Sequence, residues 1–193
     1  FEGGVDPRLI KHIFRLDEPQ EPIARALSND KLTSKAYQAF KGLRIMRQDP
    51  WECSVSYICS AAANIPKIQM NIEALSKCFG GPVEFRGATY HSFPARNSIT
   101  CETTARACKA GFRAPFLCAF QPQRGFFQKL MSLPYDKAKA ELMKWHGIGG
   151  KVADCILLFS LGFDHAFPMD TWIKQIMKQH YGLEKESEMQ AFA

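Results

Sequence analysis

The sequence predicts a mostly α-helical protein, and three observations carry that expectation. Apolar residues recur at intervals of three and four along most of the chain. Capping residues and glycines stand where the periodic segments begin and stop. No stretch shows the sustained alternation of a half-buried sheet.

Taken in order, the first twenty residues hold Gly3, Gly4, Pro7 and Pro19 and read as the remnant of an N-terminal region (1–20). A helical core is expected over 21–193. Trp51, Val55, Ile58, Cys59 and Ala62 share one helical face. Ile65, Ile68, Ile72, Leu75 and Phe79 share the next. Asn64 is placed to cap that second helix, Pro66 sits in its first turn, and Gly80–Gly81–Pro82 stops it. Residues 82–97 read as a loop with at most short extended pieces. A helix near 101–110 is expected to end at Gly111. A helix over about 136–145 presents Ala138, Leu142 and Trp145. The next, about 151–161, presents Val152, Ile156 and Phe159 and ends at Gly162. The last clear helix starts at Asp170 and runs to about His180.

At 193 residues and 46% hydrophobic, the chain can bury a real core and is not disordered by composition. No run of eighteen apolar residues occurs, so no helical membrane span is expected. The charged residues Glu2, Asp6, Arg8, Lys11 and Arg15 rule out a secretory core at the start. The absence of an initial Met and the polar stretch 185–193 suggest a fragment. The net charge of +6 suits a polyanion partner but also ordinary solubility. Seven cysteines without a C-x-x-C pair read as buried free thiols of an intracellular, reducing compartment, with neither zinc nor a disulfide framework.

The chemistry concentrates in the helical hairpin over about 136–161. Gly147 and Gly149 flank the apolar Ile148, and Gly150 opens the following helix. Glycines there can take positive φ or let a phosphate approach the backbone closely. The turn's N–H groups and the helix N-terminus then make a small anion site. A plain αα-hairpin with glycine at its turn would look similar. Lys151 follows at the helix start, where the positive end of the dipole disfavours an ammonium. A partly buried lysine there can act as an amine nucleophile; a solvated one would simply add a phosphate contact. Asp170, nineteen residues on, is by default a helix cap. Held rigidly, it also suits stabilisation of the positive charge that builds on a sugar during glycosidic cleavage.

The run Gly147–Ile148–Gly149–Gly150–Lys151–Val152–Ala153–Asp154–Cys155, followed by Ala166–Phe167–Pro168–Met169–Asp170, resembles the helix–hairpin–helix DNA glycosylases. It resembles most the eukaryotic-type 8-oxoguanine DNA glycosylases. Residues 42–52, Ser56–Tyr57–Ile58–Cys59–Ser60, Thr89–Tyr90–His91–Ser92–Phe93–Pro94 and Gly111–Phe112–Arg113–Ala114 extend the likeness over about 40–182. The resemblance implies helical domains flanking a DNA-binding cleft and a base-flipping glycosylase with AP lyase activity on oxidised guanine. Lys151 falls on the catalytic amine and Asp170 on the catalytic carboxylate. Cys155 falls on a thiol packed against the flipped base, although spacing alone makes it a core cysteine. Phe112 falls on the aromatic wedge and Arg113 on a contact to the orphaned base. Double-stranded DNA with oxidised guanine is the implied partner of a monomer that works where the DNA is. No cofactor is required, no side-chain metal site is expected, and a cation on the hairpin carbonyls is compatible with the family.

The chain also departs from the family pattern. The stretch after Ser60 is Asn-rich in the family and ends in Arg; here it reads Ala61–Ala62–Ala63–Asn64–Ile65–Pro66–Lys67. Asn64 and Lys67 remain as candidate DNA contacts, but Ala62 cannot fill a vacated base site, and Lys67 lacks a bidentate fork. Weaker discrimination for cytosine opposite the lesion is the expectation. Trp172 stands where the animal enzymes have His; it is expected either to hold a phosphate through its indole N–H or, more simply, to pack in the core. The family's N-terminal sheet is not recognisable before residue 20, and its last helix would lie beyond Ala193. Two other readings stay open: a related glycosylase of different lesion range, and a non-catalytic hairpin module that binds DNA. The iron–sulfur branch is disfavoured, because its four cysteines spaced six, two and five apart have no counterpart.

Overall fold

The computed structural model describes residues 6–192. Short helices α1 (Pro7–Ile13), α2 (Glu21–Leu27) and α3 (Lys31–Ala39) come first, then α4 (Pro50–Cys59) and α5 (Ile65–Phe79). A hairpin of β1 (Pro82–Phe85) and β2 (Ala88–His91) follows. After it come α6 (Glu102–Ala105), α7 (Ala114–Ala119), α8 (Phe126–Met131), α9 (Tyr135–Met143) and α10 (Gly150–Ser160). The chain ends with α11 (Thr171–Tyr181) and α12 (Glu186–Phe192). The chain divides into two compact units: Asp49–Pro168, and the described residues up to Gln48 together with those from Met169 onward.

The Asp49–Pro168 unit is built around one apolar core. The caps of its first two helices follow from sequence. Asp49 accepts from Trp51 N at 2.9 Å and Glu52 N at 3.0 Å, with Pro50 opening α4. Asn64 accepts from Lys67 N at 3.0 Å at the start of α5. Val55, Ile58 and Cys59 of α4 meet a core that includes Leu117, Phe127, Leu142, Ile156 and Leu157. Trp51 stacks on Phe120 with 5.9 Å between ring centroids, and its indole N–H donates to Pro94 O at 2.8 Å. Each such large apolar side chain contributes about 1.5–3 kcal/mol on burial. Ala62, expected on the α4 face, lies beyond the helix in left-handed backbone, at φ 48°.

One further expectation is sharpened and two are corrected. The stretch 82–91 is a regular antiparallel hairpin, with Phe85 opposite Ala88 across an Arg86–Gly87 turn. Both turn residues have positive φ, the geometry that matches strand twist. The helix expected near 101–110 breaks after α6 into a π-helical turn (Arg106–Ala110) and a 3-10 turn (Gly111–Arg113). Cys108 and Lys109 leave helical geometry inside it, Lys109 at φ 66°. The thiols are not all free: Cys78 of α5 and Cys108 of this break form a disulfide, with Cα atoms 6.5 Å apart. Folding brings together two cysteines thirty residues apart, which no spacing motif announces. Cys53, Cys59, Cys101, Cys118 and Cys155 are not in disulfides.

The other unit is held differently. None of α1, α2 and α3 buries a residue; Met177 of α11 and Met189 of α12 are the buried positions in their helices. Polar contacts take over. Arg47 pairs with the Glu18 carboxylate and, at 3.5 Å, with Asp17. Arg47 N donates to Ile13 O at 2.8 Å. Asp30 caps α3 through Leu32 N and Thr33 N, and Tyr181 of α11 donates to it at 2.9 Å.

Candidate functional site

The glycine turn between α9 and α10 positions the first candidates. Gly147 has φ 91°, and a methyl group there would lie 2.7 Å from Cβ and Cγ of Phe116. Glycine at 147 is therefore fixed twice over, by backbone sign and by space. Gly149 has ordinary extended geometry, with nothing within 4 Å of where a side chain would start. Of the two options for a glycine, 147 takes the positive φ, and 149 does not need it. Gly150 begins α10. Ile148 is buried and its N–H donates to Trp145 O at 3.0 Å, which pins the turn to the core.

Lys151 is the second residue of α10 and is exposed, the solvated of the two alternatives the sequence leaves open. Cys155, one turn later, is buried where α10 meets α4. It interacts there with Cys53 and Tyr57. Burial pushes the Cys53 thiol up to about 12, and it also pushes the Tyr57 hydroxyl up. Neither ionises near neutral pH, so this wall of the helix is electrically quiet. Asp170 caps α11, accepting from Ile173 N at 2.8 Å, with its second oxygen outside that bond. It belongs to the other unit.

The 3-10 turn presents Phe112, which is 52% exposed. Arg113 differs from expectation. It is only 4% exposed. Its guanidinium donates through Nε to Ala61 O at 2.8 Å and through Nη2 to Ala61 O and Ala62 O. The side chain that the resemblance aims at an orphaned base is folded inward, where it fixes the Ala61–Ala62 backbone. Asn64 is exposed but its carbonyl oxygen is spent on capping α5, and Lys67 is half-buried. Trp172 is 72% exposed. The core-packing expectation for it fails, because the second residue of α11 points away from the side that buries Met177.

Two groups escaped the sequence reading. Asp154 is 3% exposed and accepts from Tyr135 OH at 2.7 Å and from Lys139 Nζ at 2.9 Å. The pair locks α9 to α10 one turn from Lys151. Burial pulls the Lys139 ammonium down, but its bonds to Asp154 and Tyr135 outweigh this and its pKa ends up raised. Phe116 of α7, whose ring fills the space over Gly147, is the other. Nothing in the helical periodicity marks either one, because both depend on the partner helix.

The comparisons with known proteins bear on this arrangement. The family model described as "8-oxoguanine DNA glycosylase, N-terminal domain" matches residues 6–53. A probable N-glycosylase/DNA lyase of Methanothermobacter thermautotrophicus is 30% identical over 87% of this chain and 62% of its own length. The N-glycosylase/DNA lyase of Saccharomyces cerevisiae is 30% identical over 93% of this chain and 52% of its own. The chain thus spans about half to three-fifths of these relatives. In solved structures, the 8-oxoguanine glycosylase/lyase of Clostridium acetobutylicum superposes with a TM-score of 0.87 at 33% identity. That match covers 96% of this chain and 68% of the other. The same enzyme has been solved with double-stranded DNA containing cytosine opposite 8-oxoguanine.

Proposed function

The chain belongs to the 8-oxoguanine DNA glycosylases of the helix–hairpin–helix superfamily, and from that premise we propose that it excises oxidised guanine from duplex DNA and nicks the resulting site. The observation that carries the reading is the position of Lys151, the second residue of α10 directly after the glycine turn. The open backbone at Gly149 and the start of α10 receive a phosphate. Phe112 enters the stack as the target nucleotide leaves it, which offsets part of the few kcal/mol that flipping costs. Lys151 Nζ attacks the deoxyribose C1′, the C1′–N9 bond breaks, and the base departs with a proton. Asp170 stabilises the sugar cation and then the charged amine. Loss of a proton from C2′ of the Schiff base expels the 3′-phosphate and cuts the strand.

The amine chemistry needs no cofactor. A cation on the hairpin would rest on backbone carbonyls alone, since residues 142–153 contain no Asp or Glu. Carbonyl oxygens fit a hard ion, whose part would be to stiffen the turn. With Ala62 in place of a base-sized polar side chain and Arg113 turned inward, the partner base is read loosely, and cytosine is favoured weakly. A binding module without chemistry remains the competing reading, favoured only by the solvent exposure of Lys151.

Borohydride trapping on a duplex with 8-oxoguanine decides between them. The chain is expected to form a covalent adduct that Lys151→Gln abolishes. An adduct of equal yield from that variant would remove Lys151 from its role, and no adduct from the unaltered chain would favour the module.

A further inference from the structure

We infer that Phe116 is a positioning residue that couples the glycine turn to the Phe112 wedge, so that gripping the backbone and opening the stack proceed as one step. The inference rests on the function proposed above and deepens it.

The geometry is contiguous and lies within one unit. Phe116 sits in the first turn of α7, partly buried against the core. Its ring occupies the place of a side chain at Gly147, close enough that a methyl group there would overlap it. It meets His146 of the same turn edge-on at 4.6 Å and Phe112 edge-on at 6.4 Å. The Arg113 guanidinium lies over the Phe112 ring at 4.4 Å and is itself anchored on the Ala61 and Ala62 carbonyls. Phe112 is thus held between a fixed cation and a ring that leans on the turn. Close-packed aromatic groups transmit displacement, because edge-to-face contacts have few alternative arrangements. When the turn closes on a phosphate, Phe116 is the side chain it must push, and Phe112 is the exposed end of that chain. A residue that merely filled space would leave the turn and the wedge independent.

A double-mutant cycle tests this. Phe112→Ala, Phe116→Leu and the double variant are compared on a duplex carrying 8-oxoguanine beside 2-aminopurine. Flipping is read from the fluorescence and base release from single-turnover rates. Each single variant is expected to slow both by about threefold or more, and the double variant to be no worse than Phe112→Ala, an interaction of the size neighbouring residues show. Losses that multiply would overturn the inference and leave Phe116 as filler. If Phe116→Leu does not fold, the same cycle with Phe116→Tyr decides, because it keeps the core volume while changing the edge that faces Phe112. An unaltered chain that releases no base overturns the proposed function and this inference with it. An active chain with multiplicative variants overturns this inference alone.

Discussion

Between Asp49 and Pro168 the chain fully buries Ile58, Leu75, Phe120, Phe127, Ile156 and Leu157. In the other unit α1, α2 and α3 bury nothing, while Leu9, Phe40 and Leu43 stand exposed. The first unit is shaped by apolar burial, which is non-directional and large. The second is held by caps and ion pairs, which are directional, small and sensitive to pH. The hairpin, Lys151 and the Phe112–Phe116 chain rest on the stiff unit, whereas Asp170 comes from the weakly packed one. The proposed nucleophile and the proposed stabilising carboxylate therefore answer to different forces.

The largest expected effect lies in the stiff unit. Asp154→Ala takes the carboxylate from Lys139 and from the Tyr135 hydroxyl and is expected to cost about 3–5 kcal/mol in denaturant unfolding. A loss below about 1 kcal/mol would show that water replaces the pair. Next, Leu157→Ala should cost about 2–5 kcal/mol, while Leu43→Ala should stay within about 0.5 kcal/mol. Equal losses at the two positions would break the contrast. Asp170→Asn keeps a good capping side chain, so stability should hardly move, while base release slows by about 10²-fold. Unchanged release would reduce Asp170 to a cap.

The smallest effect concerns acid. Hydrogen bonds from the Thr33 N–H and the Tyr181 hydroxyl hold the Asp30 carboxyl below the usual carboxylate range. Its folded pKa is depressed, so its contribution is whole above the unfolded value near about 4 and fades as pH falls through the lower folded value. Protection of the Thr33 amide, taken against its intrinsic exchange rate at each pH, should fall over that window, with core amides such as Leu157 unaffected.

Much of the fold was legible in the sequence because its signals are local. The cap, proline and glycine stop of α5 place it at Ile65–Phe79, and the Gly162 stop places the end of α10. The break after α6 was not legible: Lys109 takes left-handed backbone where the neighbouring helix and the Cys78 bond draw the chain aside. At the site, the glycine turn and Lys151 could be found by spacing. The inward turn of Arg113 could not, since its acceptors are carbonyls fifty residues away, and backbone oxygens leave no trace in composition. Asp154 lay inside the most informative stretch and was passed over for the same reason: its partners are on another helix.

The unequal surroundings of the two hairpin glycines have a genetic consequence. Position 147 is crowded from within by a ring, so its substitutions damage the scaffold and would be lost as misfolded protein. Position 149 faces empty space in ordinary backbone, so an alanine there is sterically free until a nucleic acid arrives. On the proposed phosphate grip, alleles at 149 would accumulate to normal levels yet hold DNA weakly, a folded loss-of-function class that 147 cannot yield.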